Sequence, residues 1–201
     1  MSDSATLQSE SATLKYSDKE ISFPIVTGSE QEQGLDIGKL RAQTGLITLD
    51  PGYVNTGSTE SAITFLNGEQ GILRYRGYPI ETIAQNCDYI ETSYLLIYGE
   101  LPTRAQLDEF RTSIRRHTLL HEDMRAFFNG FPRDAHPMAI LSSVVSALST
   151  FYQDSLDPYD PNQVDISIKR LIAKLPTIAA WSYKKSFGQP FNYPQNDLSF
   201  C

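Results

Sequence analysis

Two cysteines, three histidines and one tryptophan are all that the 201 residues hold of those types, and each scarcity closes off a class of protein. Cys87 and Cys201 lie far apart and supply no disulfide framework, and a reducing compartment would leave both as thiols. No apolar run approaches the roughly 20 residues that a bilayer span requires. The opening Met1-Ser2-Asp3-Ser4-Ala5 lacks the basic flank and apolar stretch of a secretory signal, so a cytoplasmic protein is expected. Lysine and arginine number 17 against 24 aspartates and glutamates, for a formal net charge of −7. The small cluster Arg115-Arg116-His117 is too short to draw such a chain to nucleic acid or to an anionic membrane.

Signatures of catalysis are equally sparse. Gly28, Gly34, Gly68 and Gly71 form neither a Walker loop nor a dinucleotide fingerprint, so no phosphate cradle follows from backbone amides. No Gly-x-Ser-x-Gly elbow is present, and Cys87 is followed by Asp88, whose charge raises a thiol pKa where a nucleophile needs it lowered. His117 and His121 stand four apart on an expected helix, a spacing that lets two imidazoles share a metal, with Glu122 and His136 beyond. A zincin helix, however, has Glu directly after its first His, and surface or packed histidines are the simpler reading. Asp154, Asp157, Asp160 and Asp165 lack the glycine and the closing glutamate of an EF-hand and read as turn and cap residues. No metal site and no catalytic residue is assigned.

What is present is a globular composition, 40% hydrophobic and 20% charged. Residues 1 to about 12, rich in Ser, Thr and Glu, bury too little to become ordered. Leu14, Tyr16, Ile21, Phe23 and Ile25 alternate with polar neighbours around Ser17-Asp18 and predict a hairpin. Asp36 is placed to cap a short helix through Arg41. A second hairpin is predicted between Ser61 and Gly77, with Asn67-Gly68 supplying the two φ > 0 positions of a tight turn.

After Gly77 the spacing becomes helical. One or two helices lie between Pro79 and Gly99. Thr103 and Gln106 form a capping box ahead of Leu107, Phe110 and Ile114. A long, centrally buried helix follows His136-Pro137 through Val144, Leu148 and Phe151. Val164 to Lys174 is amphipathic, Pro176 ends or kinks it, and Thr177 to Lys185 predicts a further helix. The residues thus describe a soluble, mainly α domain with a small β region of hairpins before it: residues 13–78 β-rich, residues 79–201 helical.

Several runs in this order closely resemble citrate synthases of the bacterial type. They include Leu49-Asp50-Pro51-Gly52-Tyr53, Gly71-Ile72-Leu73-Arg74-Tyr75-Arg76-Gly77-Tyr78-Pro79, Arg116-His117-Thr118, His136-Pro137-Met138-Ala139 and Gly188-Gln189-Pro190-Phe191-Asn192-Tyr193-Pro194. The resemblance implies a mainly helical fold and an acyltransferase that condenses acetyl-CoA with oxaloacetate to citrate and CoA in the tricarboxylic acid cycle. It also implies that the chain is the N-terminal part of such an enzyme, truncated at the large helical domain and inactive alone, because the family's catalytic residues fall later. A homo-oligomer, dimer or hexamer, is implied, with small-molecule substrates and no tightly bound cofactor. In the NADH-inhibited hexameric members, the effector-site positions resemble Arg116, His117, Thr118, Tyr152, Arg170, Lys174 and Asn196. Leu119 departs from the methionine of that pattern. The alternatives are a 2-methylcitrate synthase fragment and a non-catalytic helical module that binds adenine nucleotide or assembles with such subunits. Loss of the later helices would leave the Met138 to Tyr152 face partly uncovered and the fragment loosely packed.

Overall fold

The computed structural model of the chain describes residues 10–200. It divides at Ser61–Ala62 into two compact units, so residues 62–78, read from the sequence as part of the β region, belong with the helices. The expected unordered segment 1–12 falls mostly outside the described residues, and its end is already strand.

In the first unit β1 (Ser11–Tyr16), β2 (Lys19–Thr27) and β3 (Gln33–Leu35) form an antiparallel sheet in that order. Tyr16 pairs with Lys19 around Ser17-Asp18, and Leu14 faces Ile21 while Ala12 faces Phe23. One face of the hairpin is therefore apolar, which is what period-two alternation produces. The strand β3 carried no such alternation and was not foreseen. Asp36 does not cap a helix as expected. Its carboxylate accepts from Gly38 N–H at 2.8 Å, and α1 (Leu40–Thr44) starts later, from Lys39, with no side-chain cap. The two-residue reach of an aspartate suits that local turn better than a helix three residues on.

The second unit opens with β4 (Thr64–Asn67), β5 (Ile72–Tyr75) and β6 (Tyr78–Pro79). Asn67 pairs with Ile72, so Asn67-Gly68 begins a four-residue loop and makes no tight turn. The Asn67 side chain accepts from Gln70 N–H, and the positive φ falls on Gly71. The tight turn is the next one: Arg76 and Gly77, at φ of 49° and 86°, join Tyr75 to its partner Tyr78. Two successive positive φ values match the right-handed strand twist, and Arg76 holds the strained position because its guanidinium donates to the Leu96 carbonyl at 2.7 Å.

Six helices follow: α2 (Ile80–Asn86), α3 (Tyr89–Tyr98), α4 (Arg104–Arg116), α5 (Met124–Asn129), α6 (Pro137–Phe151) and α7 (Pro161–Phe187). The Thr103 and Gln106 capping box starts α4, and Asp88 caps α3. Their apolar stripes gather into two cores. Ile90, Leu107, Phe110 and Ile114 meet Ala173 of α7 in one. Leu120, Met124, Phe128, Ile140, Val144 and Leu148 meet Ile178 and Trp181 of α7 in the other. Only one stripe of α6 is buried, and Met138 on its outer side is 61% exposed.

The 27-residue helix α7 thus runs through both cores, and Pro176 lies between them without ending it. A mid-helix proline removes one N–H and crowds the carbonyl four residues back, a cost of about 3 kcal/mol. Ala173 and Lys174 before it and Thr177, Ile178 and Trp181 after it are all buried, and packing on both sides outweighs the lost bond. The helix also begins earlier than its periodicity indicates, because Asp160 accepts from Asn162 and Gln163 N–H groups with Pro161 at the first helical position. No helix among the described residues is long and apolar enough to cross a membrane.

Candidate functional site

The turn after α4 is where the residues singled out in the sequence assemble. The helix stops at Arg116, His117 is its C-cap, and Leu120 is buried in the second core, drawing the turn down onto α7. On α7 the side facing this turn carries Lys174 and Thr177. Lys174 Nζ donates to the carbonyls of His117, at 2.7 Å, and Leu119, while Thr177 Oγ1 donates to the Thr118 carbonyl at 3.1 Å. Those carbonyls, left without intrahelical partners where α4 ends, are satisfied by side chains of another helix. Thr118 Oγ1 in turn meets Asn196 Oδ1 at 2.7 Å.

Tyr152, the C-cap of α6, completes the cluster. Arg170 lies over its ring at 4.5 Å and Lys174 at 5.1 Å. Arg170 also makes a two-pronged contact with Asp154, at 2.8 and 3.0 Å, and donates to Ser155 Oγ at 2.8 Å. This fork is the planar pairing a guanidinium makes best. Its bond from Arg170 holds the Asp154 carboxyl below its ordinary range. Lys174 is 2% exposed. Burial first, then the Arg170 charge, lowers its pKa to about 8. Burial, then the charges of Lys174, Arg170, Lys169 and Arg116, pushes the His117 imidazole down and favours its neutral form. Burial raises the Tyr152 phenol.

His117, Thr118, Tyr152, Arg170, Lys174 and Asn196 are therefore joined in one network. Arg116 stands at its edge, exposed, acting on His117 through its charge. Beside it a shallow depression of about 500 Å³ is lined by Arg116, His117, Asp108, Glu109, Thr112 and Ser113. Chemically, the cluster offers one exposed cation and two whose charge already serves Asp154 and backbone carbonyls. Asp154, Ser155 and Thr177 are members that sequence reasoning did not select. The chain-local signal for Asp154 was its place in the 154–165 run of aspartates, but its partner is sixteen residues away.

Elsewhere the candidates separate. Because α4 ends at Arg116, His117 and His121 do not share a helical face as expected. His121 lies in the following turn at 5.0 Å from the Phe151 ring, and His136 Nδ1 accepts from Met138 N–H at the start of α6. Among the described residues no three His, Cys, Asp or Glu side chains gather where a metal could be held. Asp157 and Asp160 accept backbone N–H bonds in turn and cap, and Asp165 accepts from Lys169 and Tyr98. Burial, then Glu91 and Asp88, raises the pKa of Cys87, the described cysteine.

Residues 52–201 match the family model described as "Citrate synthase, C-terminal domain". The chain is 56% identical over 190 residues to "Citrate synthase 1" of Mycobacterium tuberculosis H37Rv, covering 94% of this chain and 44% of that protein. It is 51% identical over 197 residues to citrate synthase of Corynebacterium glutamicum, covering 98% of this chain and 45% of that protein. Among solved structures it resembles the ternary complex of carboxymethyl coenzyme A and oxaloacetate with citrate synthase from Thermoplasma acidophilum. The TM-score is 0.68 at 21% identity, over 76% of this chain and 40% of that one. The chain thus spans less than half the length of the relatives it matches.

Proposed function

The chain belongs to the citrate synthase family, and from that premise we propose that it is part of an enzyme condensing acetyl-CoA with oxaloacetate to citrate and CoA. The observation that carries this reading is the 56% identity, over 94% of the chain, to a protein named citrate synthase. The carboxymethyl coenzyme A and oxaloacetate bound by the Thermoplasma acidophilum enzyme agree with it in ligand class.

The reaction removes a proton beside a thioester, and it needs a base and electrophilic donors converging on one enolate oxygen. The three histidines of this chain do not converge. His117 ends α4, His121 packs on Phe151 and His136 caps α6. That separation supports reading the chain's part in the reaction as scaffold, with the reacting groups supplied by the rest of the protein. Release of CoA from acetyl-CoA and oxaloacetate tests this directly. The intact protein turns over and the 201 residues alone do not; turnover by these residues alone overturns the assignment.

The same reading includes a cytoplasmic homo-oligomer and NADH as effector, held at the surface around Arg116, His117, Thr118, Tyr152, Arg170, Lys174 and Asn196. Aromatic and cationic groups can stack on adenine and meet pyrophosphate. Because Arg170 and Lys174 are internally bonded, Arg116 is the cation open to a ligand. Calorimetric titration of the intact protein with NADH tests it: Arg116→Ala weakens binding severalfold, and unchanged affinity removes the effector site. Light scattering of the intact protein reads the oligomer.

A further inference from the structure

A second, smaller cavity of about 270 Å³ lies at the far end of α7, between that helix and α5. Arg125, Arg133 and Lys185 line it, together with Asn129, Gly188 and Phe191, and no carboxylate does. In a chain of net charge −7, carboxylates to neutralise such a group are plentiful, yet none is placed in the cavity. Glu122, outside the lining, accepts from Arg125 Nη1 at 3.2 Å, and Tyr193 Oη accepts from the same nitrogen at 3.1 Å. Lys185 Nζ reaches the Asn129 carbonyl at 3.3 Å. Arg133 has neither a hydrogen bond nor an ion pair among the described residues.

The Arg133 guanidinium lies against Gly188, the left-handed C-cap of α7 at φ 66°. The last-turn carbonyls of α7 do not compete for Arg133, because Gly188 and Gln189 N–H groups take up the Lys184 and Lys185 carbonyls. Arg125 is paired with Glu122, whereas Arg133 and Lys185 have no carboxylate partner among the described residues, and the donors of the three suit tetrahedral oxyanions, which guanidinium binds through paired N–H bonds. The volume, a little below the roughly 300–1,000 Å³ of sites for drug-sized ligands, is enough to admit a phosphate group.

We propose that Arg133, Arg125 and Lys185 form a binding site for the phosphate group of a small molecule, separate from the Tyr152 cluster. The experiment is calorimetric titration of the intact protein with inorganic phosphate at low and moderate salt, comparing wild type with Arg133→Gln, Lys185→Gln and Arg104→Gln. Arg104, an exposed cation paired with Asp108 on α4, is the control. Phosphate sites elsewhere contribute a background shared by all four proteins. The expected result is saturable binding that R133Q weakens at least tenfold and K185Q at least threefold, with R104Q unchanged. Circular dichroism verifies folding, and if R133Q is unfolded then K185Q alone decides. Wild-type affinity in the folded variants, or equal loss in R104Q, overturns the site.

Discussion

The two units of the chain differ most in what they bury. In residues 10–61, Phe23 and Leu40 are the buried apolar residues, and Leu49 stands 89% exposed beside Ile47, Tyr53 and Val54. Beyond residue 62, two cores share one helix, and Trp181 alone packs on Phe128, Phe191 and Tyr193 while its indole N–H donates to Asn192. The first unit is held chiefly by its ladder of strand hydrogen bonds, the second by interlocking side chains. Since apolar burial is the dominant favourable term in folding, the helical unit should be the cooperative part of the chain and the strands its locally opening part.

The largest test of that contrast is Trp181→Ala. Removing a fully buried indole costs about 3–5 kcal/mol, and hydrogen exchange in the intact protein should rise across α5, α6 and α7 while β1 and β2 keep their protection. Uniform loss over both units would erase the distinction. Phe23→Ala is the converse, with a cost near the lower end of that range, about 3 kcal/mol. It should release the β1–β2 amides and leave the main thermal transition in place.

Lys174→Met separates the roles of a buried cation from those of packing. It leaves the His117 and Leu119 carbonyls without their donor, at a cost of about 1–3 kcal/mol. Lys174 titrates near 8 when folded, against 10.5 for a free lysine, so between those values the unfolded chain binds more protons. The group's contribution to stability therefore increases as pH rises from about 8 toward 10.5. Denaturant midpoints measured across that interval should show a rise in the wild type that K174M lacks. The smallest effect is at the caps. Thr103→Ala, which breaks the α4 capping box, costs about 1 kcal/mol. Lys39→Ala, at the uncapped start of α1, stays within about 0.5 kcal/mol. Equal shifts would show that the two helices start by the same means.

The sequence was most legible where the signal was short-ranged. The β1–β2 hairpin, the Thr103 box, the start of α6 at His136-Pro137 and the stop at Gly99 all follow from residues within one or two turns of each other. The short helix α5 and the strand β3 were too brief for periodicity to register. The start of α7 was overlooked, although Asp160-Pro161 carries a cap signal, because the apolar periodicity begins only at Val164. In the candidate cluster the residue types were legible and their engagement was not. Arg170 and Lys174 look like free cations along the chain, and only folding reveals their partners.

By itself the sequence determined the mainly helical class, the buried face of α4 and the family resemblance, since alternation, helical spacing and caps act over a few residues. Tertiary structure decided that the tight turn lies at Arg76-Gly77, that α7 continues through Pro176, and that Lys174 closes on His117, 57 residues away. Each of these depends on a partner brought close by packing, and no local pattern encodes a contact whose other half lies several elements distant.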